Sequence, residues 1–204
     1  MSITYAITIN DELNSVKRLM HTLEECKEKD SEILAVHCYS RTEDMSDSNH
    51  IEIKEYLMEN TDTYCNYKFD NNLADLKNYI ISISTKEYIF LLDADEYLTT
   101  QTLALWNNVI KNEPQYDVFW TPRVNIIENL TQEDIKKFGL KLNDKNWINW
   151  PDNQPRIFKN NGKIKWTMEN NNYRLVGAAK SGSLTADPRL ATINRKDSMD
   201  VQRT

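Results

Sequence analysis

A doubly wound, mostly parallel α/β sheet is the fold class this sequence predicts, on three observations. Tyr88-Ile89-Phe90-Leu91-Leu92 is a short, unalternating apolar run that ends on Asp93-Ala94-Asp95-Glu96. Such a run reads as a strand buried on both faces, and its carboxylates then emerge at the carboxyl end, where open α/β sheets bind ligands. Five strand-like stretches alternate with four helix-like ones over the first 125 residues, which calls for parallel strands with helical crossovers. The chain of 204 residues, 40% hydrophobic, suits one domain with a sizeable core.

Taken in order, Ile3–Ile9 is the first strand, and Asn10-Asp11-Glu12 ends it and can cap a helix. Leu13, Val16, Leu19, Met20 and Leu23 give that helix one apolar face. Glu32–Cys38 is the second strand, residues 40–49 form a polar loop, and Ile53, Tyr56 and Leu57 mark the second helix. Thr63–Phe69 is a third strand. Asp70 opens a helix with a buried stripe of Leu73, Leu76, Ile80 and Ile81. After the Asp-rich strand, Gln101–Lys111 is helical with Leu103, Trp106 and Ile110 inward, and Asp117–Val124 is a fifth strand. Beyond it the pattern changes: residues 126–150 are amphipathic with one or two short helices, and residues 154–178 read as short strands. Asn161-Gly162 is read as the turn of a hairpin joining Arg156-Ile157-Phe158 to Ile164-Lys165-Trp166. The expected division is a nucleotide-binding half over 1–125 and an acceptor-side, lid-bearing remainder over 126–204 of the same domain.

No apolar run approaches a membrane span, and the N-terminus carries no basic leader. Cys26, Cys38 and Cys65 are odd in number and lack metal or redox spacing, which points to packing in a reducing, cytoplasmic setting. No Gly-rich phosphate loop is present. The net charge of −6 is unevenly spread: residues 151–204 hold 10 Lys+Arg against 5 Asp+Glu, and the rest of the chain is strongly acidic. This excess is either a solvated surface or a basic wall for an anionic ligand. The acidic total disfavours strong DNA affinity, while the basic end keeps DNA among the conceivable acceptors.

Asp93 and Asp95, one residue apart on extended backbone, lean to one side and offer hard oxygen ligands to Mg²⁺ or Mn²⁺ bridging a diphosphate. The plain alternative is a solvated strand-end turn. Lys77 is either an exposed helix lysine or a diphosphate or sugar contact. His37 either stacks on a base or packs. Arg156 is structural or faces the diphosphate. Trp147, Trp150 and Trp166 are core residues or an aromatic acceptor platform.

The chain resembles the family 2 glycosyltransferases of GT-A fold, a three-layer α/β/α architecture. The resemblance is carried by Ile7–Glu12, Leu73-Ala74-Asp75-Leu76-Lys77-Asn78, Leu91-Leu92-Asp93-Ala94-Asp95-Glu96, Trp150–Phe158, Arg174-Leu175-Val176-Gly177 and residues 186–191. It implies metal-dependent, inverting transfer of a sugar from a nucleotide-sugar donor, UDP-linked by default, to a glycan, lipid-linked sugar, protein or modified DNA base. On this likeness Asn10, Glu12, His37, Lys77, Asp93 and Arg156 would meet the donor, and Asp95, Asp93 and Asn194 the metal. His37 stands where the family often has an acidic residue, Asn172-Tyr173 where it has His-Glu, and Asn194 where it has a late histidine. The nearest carboxylates for a catalytic base are Glu169 and Asp152. Some of Arg156, Lys180, Arg195 and Lys196 are expected to close over the diphosphate or meet an anionic acceptor. The tail has little core composition, so residues 1–179 are expected to fold without it. Two other readings share the motif: a glycosyltransferase-like domain that only binds, and a haloacid-dehalogenase-like phosphatase with Asp93 as nucleophile.

Overall fold

The computed structural model describes residues 1–40, 43, 45–170, 172–183 and 186–196. Arg41, Thr42 and Asp44 of the predicted loop, Asn171 of the Asn run, and Leu184, Thr185 and residues 197–204 of the tail lie outside the described residues.

The chain runs β1 (Ile3–Ile9), α1 (Leu13–Cys26), β2 (Glu32–Tyr39), α2 (Ser48–Asn60), β3 (Thr63–Lys68), α3 (Leu73–Ile83), β4 (Tyr88–Asp93), β5 (Glu96–Tyr97) and α4 (Thr100–Asn112). It continues with β6 (Val118–Ile127), α5 (Gln132–Phe138), β7 (Ile148–Lys159), β8 (Lys165–Glu169), β9 (Asn172–Val176), β10 (Ser181–Ser183), a 3₁₀ turn at Pro188–Leu190 and β11 (Thr192–Lys196). The main sheet has the order β3-β2-β1-β4-β7-β6-β11-β5, with β10 added beside β6. Strands β3, β2, β1 and β4 are parallel, as the helical crossovers require. β4 is central and almost wholly buried, so its apolar run has helices on both sides.

The fifth predicted strand, β6, does not lie beside β4. The antiparallel β7 is inserted between them, which leaves β6 parallel to β4 one place further out. For the same reason the predicted hairpin across Asn161-Gly162 does not form: β7 pairs with β4 and β6, while β8 turns away to pair with β9 in a separate ribbon. Asn161 and Gly162 still make a turn, but it joins two sheets. The ribbon is fastened by Gly177, at φ +89, where a Cβ would lie 2.0 Å from the Lys163 carbonyl oxygen. Only glycine admits that approach and that backbone.

Helix starts follow the capping residues. Asn72 caps α3 by accepting from the Ala74 and Asp75 N–H groups, so the helix begins after Asp70, and Thr99 caps α4 through the Thr102 N–H. Leu73, expected inside, is 38% exposed and faces a cleft instead.

The C-terminal segment corrects the expectation of a tail with no core. β11 lies inside the sheet, parallel to β6 on one side and antiparallel to β5 on the other. Leu190 and Ala191 are buried, and the fully buried Trp106 of α4 donates its indole N–H to the Leu190 carbonyl at 2.8 Å. Ser181-Gly182-Ser183, part of the content that read as coreless, forms β10 beside β6, and Leu190, Ala191 and Thr192 are buried. No helix among the described residues is long and apolar enough to cross a membrane.

Candidate active site

The carboxyl ends of β1, β2 and β4 meet at a cleft of about 410 Å³. Thr8 and Asn10 come from the end of β1, Asp93 and Asp95 from the end of β4, and Lys196 from β11. In-register pairing of β1 with β4 sets Thr8 beside Asp93, and the Thr8 hydroxyl donates to Asp93 Oδ1 at 3.0 Å.

Asp93 and Asp95 do not act as a matched pair. Asp93 accepts through Oδ2 from the Arg156 guanidinium at 2.6 Å. Asp95 accepts through Oδ2 from Asn194 Nδ2 at 2.9 Å and meets Lys196 Nζ at 3.3 Å on the same oxygen. β11 makes this possible: its antiparallel pairing with β5 sets Asn194 opposite Glu96, and Lys196 projects from the same face two residues on.

Behind the cleft lies a buried charge network. Arg156, on β7, shares one nitrogen between Asp93 and Glu96, the latter at 2.5 Å. Arg123, on β6, reaches Glu96 at 3.3 Å and clamps Asp152 through two nitrogens at 2.8 and 2.6 Å. Asn125 and Gln154 complete the shell of Asp152. Enclosure disfavours ionisation of Asp93, yet the Arg156 charge and its hydrogen bond outweigh it, and Lys77 adds to them; the carboxyl is held well below the usual carboxylate range. Burial pushes Glu96 up to about 7, against the pull of Arg156 and Arg123 and with the Asp93 charge adding to the rise. Arg156 itself stays protonated, because the two carboxylates outweigh the cost of burying it.

Glu96 therefore makes stability depend on pH. Between its ordinary value of 4.5 and about 7, the folded state holds a proton that the unfolded chain has released, so stability falls as pH rises through that window. Glu96→Gln is expected to flatten this slope, worth roughly 3 kcal/mol across the window, as read by urea denaturation at a series of pH values. An unchanged slope would place the titration elsewhere.

Lys77 lies at one end of the same network. Its ammonium stands 3.8 Å from the centre of the Trp166 ring, and burial, with Arg156 nearby, lowers its pKa to about 8. The next residue, Asn78, both donates to the Trp166 carbonyl and accepts from the Trp166 N–H at 2.8 Å, so α3 grips the β8–β9 ribbon like an added strand. Trp166 is thus a packed residue, whereas Trp147 and Trp150 meet edge to face at 5.0 Å near the surface of the β6–β7 extension.

The other predicted residues are placed as follows. Asn10 and Glu12 line the cleft; Glu12 accepts from the Asn10 N–H at 2.9 Å, and burial raises its pKa, with Asp11 and Asp95 adding to the rise. His37 takes the packing alternative. It is fully buried, faces the Asn10 carbonyl at 3.0 Å, His50 at 3.1 Å and the Tyr64 hydroxyl at 3.1 Å, and leaves no ring face for a base. Burial and His50 lower its pKa. Glu169 ends β8 in the ribbon, largely exposed, and pairs with Arg174 at 3.3 Å. Of the four basic residues expected over a diphosphate, Lys196 reaches the cleft and Arg156 stands behind it; Arg195 pairs with Glu128, and the Lys180 N–H contacts Asp117.

Thr8, Arg123 and Glu43 were not foreseen. Glu43 anchors Asn10 Nδ2 at 3.0 Å and also accepts from the Ser40 N–H. A signal existed for Arg123: a lone arginine inside the strand Val118–Ile127 needs a carboxylate partner. Both Asp93 oxygens accept hydrogen bonds, one from Thr8 and one from Arg156.

By sequence, no protein family and no curated protein matches the chain. Among solved structures it matches S. aureus TarS 1–349 at a TM-score of 0.61 and 14% identity, covering 97% of this chain and 60% of that one. The same protein with UDP-GlcNAc matches at 0.60 and 14%, covering 97% and 59%, and with UDP at 0.59 and 13%, covering 96% and 60%. The chain therefore has the GT-A glycosyltransferase fold. It spans about three fifths of the length of TarS 1–349.

Proposed function

We propose that the chain is a glycosyltransferase that moves a sugar from a nucleoside-diphosphate sugar to a hydroxyl acceptor. The observation that carries this reading is the meeting of Asp93, Asp95, Asn194 and Lys196 at the mouth of the cleft formed by β1 and β4. Two carboxylates at the end of a central strand, a cation beside them and a polar loop after the first strand suit a nucleotide on one side and a diphosphate on the other. Uridine is the preferred base, since TarS, which shares the fold, is seen with UDP and UDP-GlcNAc.

A hard divalent cation fits the residues present. Mg²⁺ or Mn²⁺ typically uses one or two carboxylates, water and substrate phosphates, and Asp95 supplies the carboxylate; Asn194 can offer its amide oxygen if the amide turns over. No group of three or more His, Cys, Asp and Glu side chains gathers among the described residues, so the phosphates would complete the coordination. When bound, the ion would stabilise charge on the departing diphosphate. The acceptor oxygen forms its bond to the anomeric carbon as the bond to the diphosphate breaks, which inverts the centre in a single displacement. A carboxylate takes the acceptor proton. Asp152 has four donors on it and is suited to positioning Arg123, whereas Glu169 has lone pairs to spare and is the proposed base. Lys77 and Arg156 supply positive potential beneath the donor.

The test is calorimetry of UDP and UDP-sugars with Mn²⁺, followed by transfer assays on carbohydrate, lipid-linked, protein and DNA acceptors. Donor binding that falls at least about tenfold in Asp95→Asn supports the reading. Equal binding in that variant, with Mn²⁺ still required, would place the site elsewhere. Donor binding without hydrolysis or transfer would leave a binding domain.

A further inference from the structure

We propose that Lys196 occupies the cation position of Asp95 in the ligand-free protein and admits a divalent ion only when a diphosphate arrives. The inference rests on the glycosyltransferase reading and names how its metal step is controlled. Asn194 and Lys196 share one face of β11, and both address a single oxygen, Asp95 Oδ2, at 2.9 and 3.3 Å. Lys196 is held there: its side chain is 21% exposed, and that of Asp95 29%.

Among the described residues the surroundings give Lys196 no equal alternative. Asp93 is engaged by Arg156, Asp152 is clamped by Arg123, and Glu12 is turned to the Asn10 N–H with its pKa raised by burial. On its other side Lys196 borders a second hollow lined, among the described residues, with Arg123, Asn125 and Asn194, so that its neighbouring charge there is positive. The ammonium therefore stays on Asp95.

A divalent ion seeking that carboxylate meets a positive charge already on the oxygen. The two cations would stand within a few ångströms, where their repulsion in a half-buried site opposes binding of the second. Asp95 alone, with an amide beside it, offers too little to displace the lysine. A nucleoside diphosphate changes the balance, because it brings oxygens that ligate the metal and anionic charge that can receive Lys196. Metal and diphosphate then bind with positive coupling, and the coupling is reciprocal. Free Mn²⁺ or Mg²⁺ would not preload the site.

The experiment is titration of Mn²⁺ alone into the full chain, by calorimetry and by electron paramagnetic resonance of the free ion, in wild type, Lys196→Met, Lys196→Arg and the double variant Lys196→Met with Asp95→Asn. Wild type and Lys196→Arg are expected to bind Mn²⁺ weakly. Lys196→Met should bind it at least about tenfold more tightly, and the double variant should lose that gain. Equal affinity in wild type and Lys196→Met overturns the proposal, as does tightening of the same size in Lys196→Arg. In a second arm, UDP should raise Mn²⁺ affinity by a larger factor in wild type than in Lys196→Met; equal factors also overturn it. If UDP binds none of the proteins, the uridine-donor reading fails, while the metal-only comparison still decides the role of Lys196.

Discussion

Arg156→Met is expected to destabilise the protein by about 3–5 kcal/mol, the cost of removing one partner from a buried ion pair. Arg156 is 5% exposed, and its guanidinium faces both Asp93 and Glu96. Without it, two carboxylates share an enclosed space in which Arg123, on the far side of Glu96, and Lys77 are the charges left to offset them among the described residues. In a chain of this length such a loss lowers Tm by roughly 10 °C. Asp93 should also regain a more ordinary pKa, so the variant should recover part of its stability in acid, where wild type loses it. Chemical denaturation at neutral pH and at pH below about 4, where the Asp93 contribution is lost, reads both effects. A shift under about 1 kcal/mol would mean that water reaches the network and screens it.

A chain ended after Ala179 is expected to lose cooperative folding. The cut removes β10 and β11, exposes the edges of β6 and β5, and strips Leu190 from the fully buried Trp106. Burial of one large apolar side chain contributes about 1.5–3 kcal/mol, and the bared strands add unpaired backbone groups. The sum reaches the whole margin of an ordinary domain, about 5–15 kcal/mol. Near-ultraviolet circular dichroism and urea unfolding of the truncated and full chains compare them directly. A native spectrum and an unchanged midpoint in the truncated chain would show that the sheet closes without β11.

What the sequence determined by itself was local. Period and composition specified β1 to β4 and their helices: β4 is a continuous apolar run, β1 and β2 are apolar-rich and buried, the half-exposed β3 is bounded by polar turns, and helices such as α1 and α3 carry an apolar face. The same run put Asp93 and Asp95 at the end of β4, since a buried strand has no room for free carboxylates. The excess of positive charge after residue 150 was visible too, but not its division. One of those cations, Arg156, went into a buried network, another, Lys196, to the cleft, and Arg195 to a surface pair.

Tertiary structure alone decided the rest, and in each case the reason is distance along the chain. The insertion of β7 between β4 and β6 depends on which edges are free once the parallel half has formed, and Asn161-Gly162 carries no information about that. His37 looks like a ligand residue in a loop-ending strand, yet His50 and Tyr64, from the next two elements, enclose it. Asn194 lies 99 residues from Asp95, and only the placing of β11 between β5 and β6 brings them into contact. Periodicity reports which face of an element is buried. It does not report which distant side chain comes to lie against that face, and it is those long-range meetings that turned two aspartates at a strand end into a site with its own cation.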